Sequence, residues 1–99
     1  MESFGNFIRQ LRKEKDWTLT QLAAMLDIDS ANLSKIETNK RSFDEKKLPV
    51  LCGIFGLDLH KMKKELISEK FAHIVVSQNI DEEVFKLAER KVVKLITRK

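Results

Sequence analysis

Apolar positions near the N-terminus recur at helical spacing. Phe4, Phe7, Ile8 and Leu11 share one face, so residues 3–15 are predicted to form an amphipathic helix with Ser3 as its cap. Further along, one local device repeats. A residue whose side chain can accept from the free amides of a first helical turn is flanked by two apolar residues that clip the entering chain onto the helix. Trp17, Thr18 and Leu22 form one such unit, with Gln21 completing a capping box. Ile28, Asp29 and Leu33 form another, followed by Leu57, Asp58 and Met62, and then Ile80, Asp81 and Phe85. Phe43, Asp44 and Leu48 fit the same device. These units predict helices over residues 18–26, 30–38, 45–55, 58–76 and 82–97.

Breakers refine this outline. Pro49 falls after the first turn of the fourth helix and removes a backbone donor, which predicts a kink or a late helix start. Gly56 suits a left-handed helix cap, and Asn79 terminates the fifth helix. Along that helix the apolar stripe drifts from Leu59, Met62 and Leu66 to Ile67, Phe71, Ile74 and Val75. A drifting stripe calls for two burial partners. The last helix, with Val84, Leu87, Ala88, Val92, Leu95 and Ile96 on one side, supplies a second apolar surface. The expected organisation is a domain over residues 1–66 and a C-terminal helical extension over 67–99.

Composition agrees with an all-α chain. The 99 residues contain 3 glycines and 1 proline, few points at which helices would break. The formal net charge of +4 is not gathered in one tail, so any basic surface must be created by folding. The single Cys52 lies in an apolar helical pattern and reads as a small core residue of a reduced protein. No apolar run approaches the roughly 20 residues of a membrane span, and the N-terminus lacks the blocks of a secretion signal, so a cytoplasmic location is expected. His60 and His73 have no companions at metal-ligand spacing, and the acidic residues 81–83 fit the first turn of a helix. The phenylalanines fall mostly on the apolar stripes, and Trp17 reads as a core staple. Nothing combines a nucleophile with a base and an orienting group, so no enzyme, metal, cofactor, small-molecule ligand or membrane partner is expected.

The unusual stretch is LDIDSANLSKIETNKRS, residues 26–42. Two short helices joined by so tight a turn must cross steeply, an arrangement that can hold the second one proud of the domain. Leu33 and Ile36 anchor that helix inward. Ala31, Ser34, Lys35 and Thr38 recur on the other side, with Ser30 and Asn32 flanking them. Small residues let a helix backbone approach base edges in a major groove about 12 Å wide, where Asn, Ser and Lys offer suitable donors and acceptors. Ser30, Ala31, Asn32, Ser34 and Lys35 are therefore the candidate base readers. A solvated polar face with no ligand is the competing reading.

Beyond that single helix, FGNFIRQLRKEKDWTLTQLAAMLDIDSANLSKIETNKRSF and the later LCGIFGLDLHKM resemble, in joint order and spacing, the Xre and phage Cro/repressor family of helix-turn-helix domains, over residues 3 to about 66. The resemblance implies a five-helix lambda-repressor-like domain, here with an added C-terminal helix. It implies that Arg12 pairs with Glu37, tying the first helix to the third, and Arg12 also lies where it could touch phosphate. Thr18, Thr38, Lys40 and Arg41 stand at phosphate-contacting positions of the family. For Thr18 the physics agrees independently, because a helix N-terminus attracts anions. The sequence departs from the pattern at Leu19, where the family often has a glutamine that braces a base contact. Asp27 and Asn39 replace common glycines, and Asn39 tolerates the left-handed conformation.

The expected function is a transcription regulator that binds double-stranded DNA as a homodimer, since one reading helix spans only a few base pairs. Phe71, Ile74, Val75, Val92 and Leu95 exceed what a bare five-helix domain needs and are the expected dimer surface. A purely intramolecular hairpin remains the alternative for them. The chain's size resembles the controller proteins of restriction-modification systems. An antitoxin-type repressor, or an adaptor that binds another protein through its C-terminal helices, is the other reading.

Overall fold

A computed structural model describes residues 3–97 and is all-helical over them. Its elements are α1 (Phe4–Glu14), α2 (Leu19–Met25), α3 (Ser30–Glu37), a single 3-10 turn (Glu45–Lys47), α4 (Leu48–Phe55), α5 (Leu59–Ser77) and α6 (Glu82–Thr97).

The capping units act as local switches. Ser3 Oγ accepts from the Asn6 amide at 3.1 Å and starts α1. Thr18 and Gln21 form a reciprocal capping box on α2, with bonds of 3.1 and 2.8 Å. Asp29, Asp58 and Asp81 each accept from the amide three residues on, at 2.6, 3.2 and 3.1 Å, and so open α3, α5 and α6. Asp44 accepts from the Lys46 amide and opens the 3-10 turn instead of α4. The proline explains this: α4 begins only at Leu48, so Pro49 sits in its first turn, where no intrahelical donor is missed. The helix starts late and does not kink.

Left-handed residues end the helices. Gly56 has φ 64° after α4, while Asp27, Asn39 and Asn79 have φ 56°, 63° and 51° at the ends of α2, α3 and α5. Asp16 adopts φ 57° after α1 without having been marked by any sequence signal. Asn and Asp visit this region more readily than other residues with a Cβ, because their short polar side chains bond locally.

Phe4, Ile8, Leu22, Leu26, Leu33, Leu48, Leu51 and Leu66 are sealed at the centre, each contributing roughly 1.5–3 kcal/mol relative to exposure. Trp17 packs on the rim of this core, its ring 5.6 Å from that of Phe55. Cys52 is buried, and that burial, followed by the nearby Asp58 charge, raises its thiol pKa above the ordinary value.

The core stops at Leu66. Beyond it α5 continues without interruption past the expected boundary, and every residue of α6 is exposed. Phe71 and Phe85 meet edge-on at 5.7 Å yet remain 47% and 41% exposed. These two rings therefore depart from the expectation that the phenylalanines are mostly buried. They cover each other, but no core lies beneath them.

Candidate nucleic-acid interface

The turn between α2 and α3 is set by Asp27 in the left-handed region and by the Ile28 amide, which donates to the Ala23 carbonyl at 3.0 Å. Leu33 and Ile36 are then forced inward and are buried. Ser30, Ala31, Lys35 and Thr38 face solvent, while Asn32 and Ser34 lie half-buried along the flank of that face. Leu19 is half-buried and packs against the core, so its departure from the family pattern is absorbed as packing.

The third helix is held from beneath by a bidentate ion pair. Arg12 Nε donates to Glu37 Oε2 and Arg12 Nη2 to Glu37 Oε1, both at 2.9 Å, and Arg12 Nη1 donates to the Trp17 carbonyl at 2.8 Å. The hydrogen bond to Glu37 raises the Arg12 pKa above its ordinary value, against an opposing desolvation and with help from the Glu37 charge. With three of its five donors engaged and its side chain 12% exposed, Arg12 is placed to position α3. Glu37 is the buried end of the pair, at 3% exposure.

The phosphate candidates differ from one another. Thr18 Oγ1 accepts from the Gln21 amide, which leaves the hydroxyl proton of this exposed residue free to donate. Thr38 Oγ1 instead donates to the Ser34 carbonyl at 2.8 Å, so its proton is already engaged inside the helix. After Asn39 the chain folds back, and the amides of Lys40 and Arg41 both donate to the Lys35 carbonyl, at 2.8 and 3.2 Å. Both of these basic side chains are exposed. Arg41 Nη1 reaches across to Asn32 Oδ1 at 2.8 Å, joining a phosphate candidate to a base-reading candidate.

Further contacts escaped the sequence reading. Glu69 Oε1 accepts from the Phe4 amide at 3.0 Å and pins α5 to the start of α1. Gly5 is buried where α1 crosses the last turn of α3, and a Cβ there would run into the Ile36 carbonyl oxygen. Neither signal is readable from spacing, since each partner lies far along the chain. On the α5–α6 hairpin Phe71, Ile74, Val92 and Leu95 are 47%, 50%, 50% and 62% exposed, whereas Val75 is half-buried. His60 and His73 are exposed, and no His, Cys, Asp and Glu among the described residues gather into a group able to hold a metal ion.

Known proteins share this arrangement. The family model described as "Helix-turn-helix domain" matches residues 5–69. The control protein C.MunI of Mycoplasma sp is 33% identical over 67 residues, which span 67% of this chain and 90% of that protein. The HTH-type transcriptional repressor RghR of Bacillus subtilis (strain 168) is 46% identical over 41 residues, but the match spans only 30% of RghR and 41% of this chain. Among solved structures, a chain of the SinR protein/SinI protein complex matches with a TM-score of 0.52 over 91% of this chain and 96% of its own, and at 24% identity the likeness is one of fold. With a capped, outward-facing α3 on a five-helix core, and with the family model spanning that whole unit, the chain belongs to the helix-turn-helix domain family and is Xre-like within it.

Proposed function

We propose that the chain is a sequence-specific regulator of transcription that binds double-stranded DNA as a homodimer on a near-palindromic operator. The observation that carries this reading is α3 itself: buried only through Leu33, Ile36 and Glu37, and small and polar on its outer side. Ser30, Ala31 and Lys35 stand toward base edges in the major groove, with Asn32 and Ser34 at the side. The Thr18 hydroxyl and the side chain of Lys40 are the phosphate donors, and Arg41 is the phosphate candidate whose guanidinium also touches Asn32. Thr38 is the further phosphate candidate, its hydroxyl donating to the Ser34 carbonyl in the free chain. Likeness to a control protein supports a restriction-modification controller as the narrower role, and a toxin gene beside this one would favour an antitoxin-type repressor instead. No catalytic role is proposed. No helix of the described residues is long and apolar enough to cross a membrane, and a DNA ligand places the work of the protein in the cytoplasm.

Base reading and phosphate binding separate experimentally. Lys35→Ala is expected to change preference at one base pair of each half-site by about 1–3 kcal/mol. Lys40→Ala is expected to weaken all sequences alike and to reduce the slope of log affinity against log salt by about one per protomer. Quantitative binding to operator and random duplexes at several salt concentrations measures both. If both variants bind every duplex as the wild type does, α3 and its turn are not a DNA-binding surface.

Half-site geometry and the exposed apolar residues of the last two helices support dimerisation. Half-sites one helical turn apart, about 34 Å, require two reading helices. Phe71, Ile74, Val92 and Leu95, exposed, and Val75, half-buried, are the apolar residues of α5 and α6 that a second copy would cover. A variant with Val92→Asp and Leu95→Asp is expected to sediment as a monomer and to lose at least roughly tenfold in operator affinity, a difference of about 1.4 kcal/mol. Paired footprints should then disappear. A wild-type chain that stays monomeric at micromolar concentration would transfer this face to a different protein and support the adaptor reading.

A further inference from the structure

We propose that Arg41 and Asn32 act as one composite reader that presents only hydrogen-bond donors to the major groove, and that it therefore selects guanine over adenine opposite Asn32. This rests on the DNA-binding reading above and deepens it.

The contact fixes the chemistry. Arg41 Nη1 donates to Asn32 Oδ1 at 2.8 Å. A guanidinium carries donors and no acceptor, so the asparagine atom that faces it has to be the amide oxygen. The pairing is built by the backbone on both sides. Asn39 at φ 63° turns the chain back, and the amides of residues 40 and 41 are both tied to the Lys35 carbonyl, which sets Arg41 alongside α3. On the other side the Asn32 backbone N–H donates to Asp29 Oδ1 at 2.6 Å.

The consequence is a change in what asparagine can read. A free asparagine recognises adenine in a bidentate manner: its oxygen accepts from N6–H and its amino group donates to N7. Here the oxygen is engaged by Arg41, and the groups left over are the two N–H donors of the Asn32 amide and the remaining N–H donors of Arg41. To share the oxygen, adenine would have to bring its N6 amino group against a guanidinium, donor facing donor. Guanine offers adjacent acceptors at N7 and O6, which a donor-only pair satisfies. The small side chains of Ser30 and Ala31 beside Asn32 leave room for a base edge to approach.

In vitro selection from randomised duplexes, using the full chain and its Arg41→Ala and Asn32→Ala variants, tests this. The wild type is expected to select guanine at one position of each half-site. Arg41→Ala frees the Asn32 oxygen, so it should lower affinity for every sequence and also shift the guanine-to-adenine ratio at that position by on the order of tenfold toward adenine. Asn32→Ala should abolish preference at that position alone. Arg41 is exposed and Asn32 half-buried, and thermal melts of both variants verify that each is folded. An unchanged ratio in Arg41→Ala, with the rest of the selected site intact, overturns the composite reader and leaves the DNA-binding reading standing. Wild-type selection of adenine at that position also overturns it. A wild type that enriches no sequence defeats both readings together.

Discussion

Arg12→Ala is expected to destabilise the fold by about 3–5 kcal/mol, because removing one partner of a buried pair strands the other. The stranded group is the Glu37 carboxylate, 3% exposed and bonded through both oxygens to Arg12. The Trp17 carbonyl loses its partner as well. At roughly 4–8 °C per kcal/mol for a domain of this size, the melting temperature should fall by about 12 °C or more. Glu37→Ala should also be strongly destabilising, since it strands a guanidinium. Replacing both at once, with Arg12→Met and Glu37→Leu, should recover most of the stability, because no charge is then left buried without a partner. Thermal and urea melts followed by circular dichroism measure all three. A fall of only a few degrees in Arg12→Ala would mean that the pair behaves as a solvated surface contact and does not hold α3 in place.

Gly5→Ala should cost about 3 kcal/mol, at the upper end of overpacking penalties. The new methyl group would collide with the Ile36 carbonyl oxygen, and would also lie 2.8 Å from Asn39 Oδ1 and 3.1 Å from the Ile36 carbonyl carbon. Asn39 can move its side chain, but the Ile36 peptide belongs to the last turn of α3 and cannot rotate away. The helix preference of alanine over glycine, about 1 kcal/mol, is too small to offset this. α1 and α3 must separate, so DNA affinity should fall beyond what the loss of stability explains. Gly53→Ala is the matched control. Nothing lies within 4 Å of a Cβ there, so the same change within α4 should be neutral or slightly stabilising. Equal melting temperatures for the two variants would show that the α1–α3 crossing has room to spare.

What was legible in the sequence was local. The capping devices at Thr18, Asp29, Asp58 and Asp81 join a side chain to an amide three residues away, so their outcome depends on a few neighbouring residues. The left-handed ends at Gly56 and Asn79, and the late start imposed by Pro49, are legible for the same reason. The pairing of Arg12 with Glu37 was approached only through family resemblance, because twenty-five positions separate the partners. The expected domain boundary at residue 66 coincides with the last core leucine and lies inside α5, since the end of a core need not be the end of a helix.

Helix count, most helix caps and the inward face of α3 were determined by the order of residues alone, because each follows from periodicity or from hydrogen bonds that close within one turn. Only the tertiary structure decided which polar groups remain free. Folding engages Arg12 beneath α3 and presses Gly5 against Ile36. A donor's availability depends on every acceptor within about 3 Å of it, and those neighbours are brought together by the packing of helices distant in sequence.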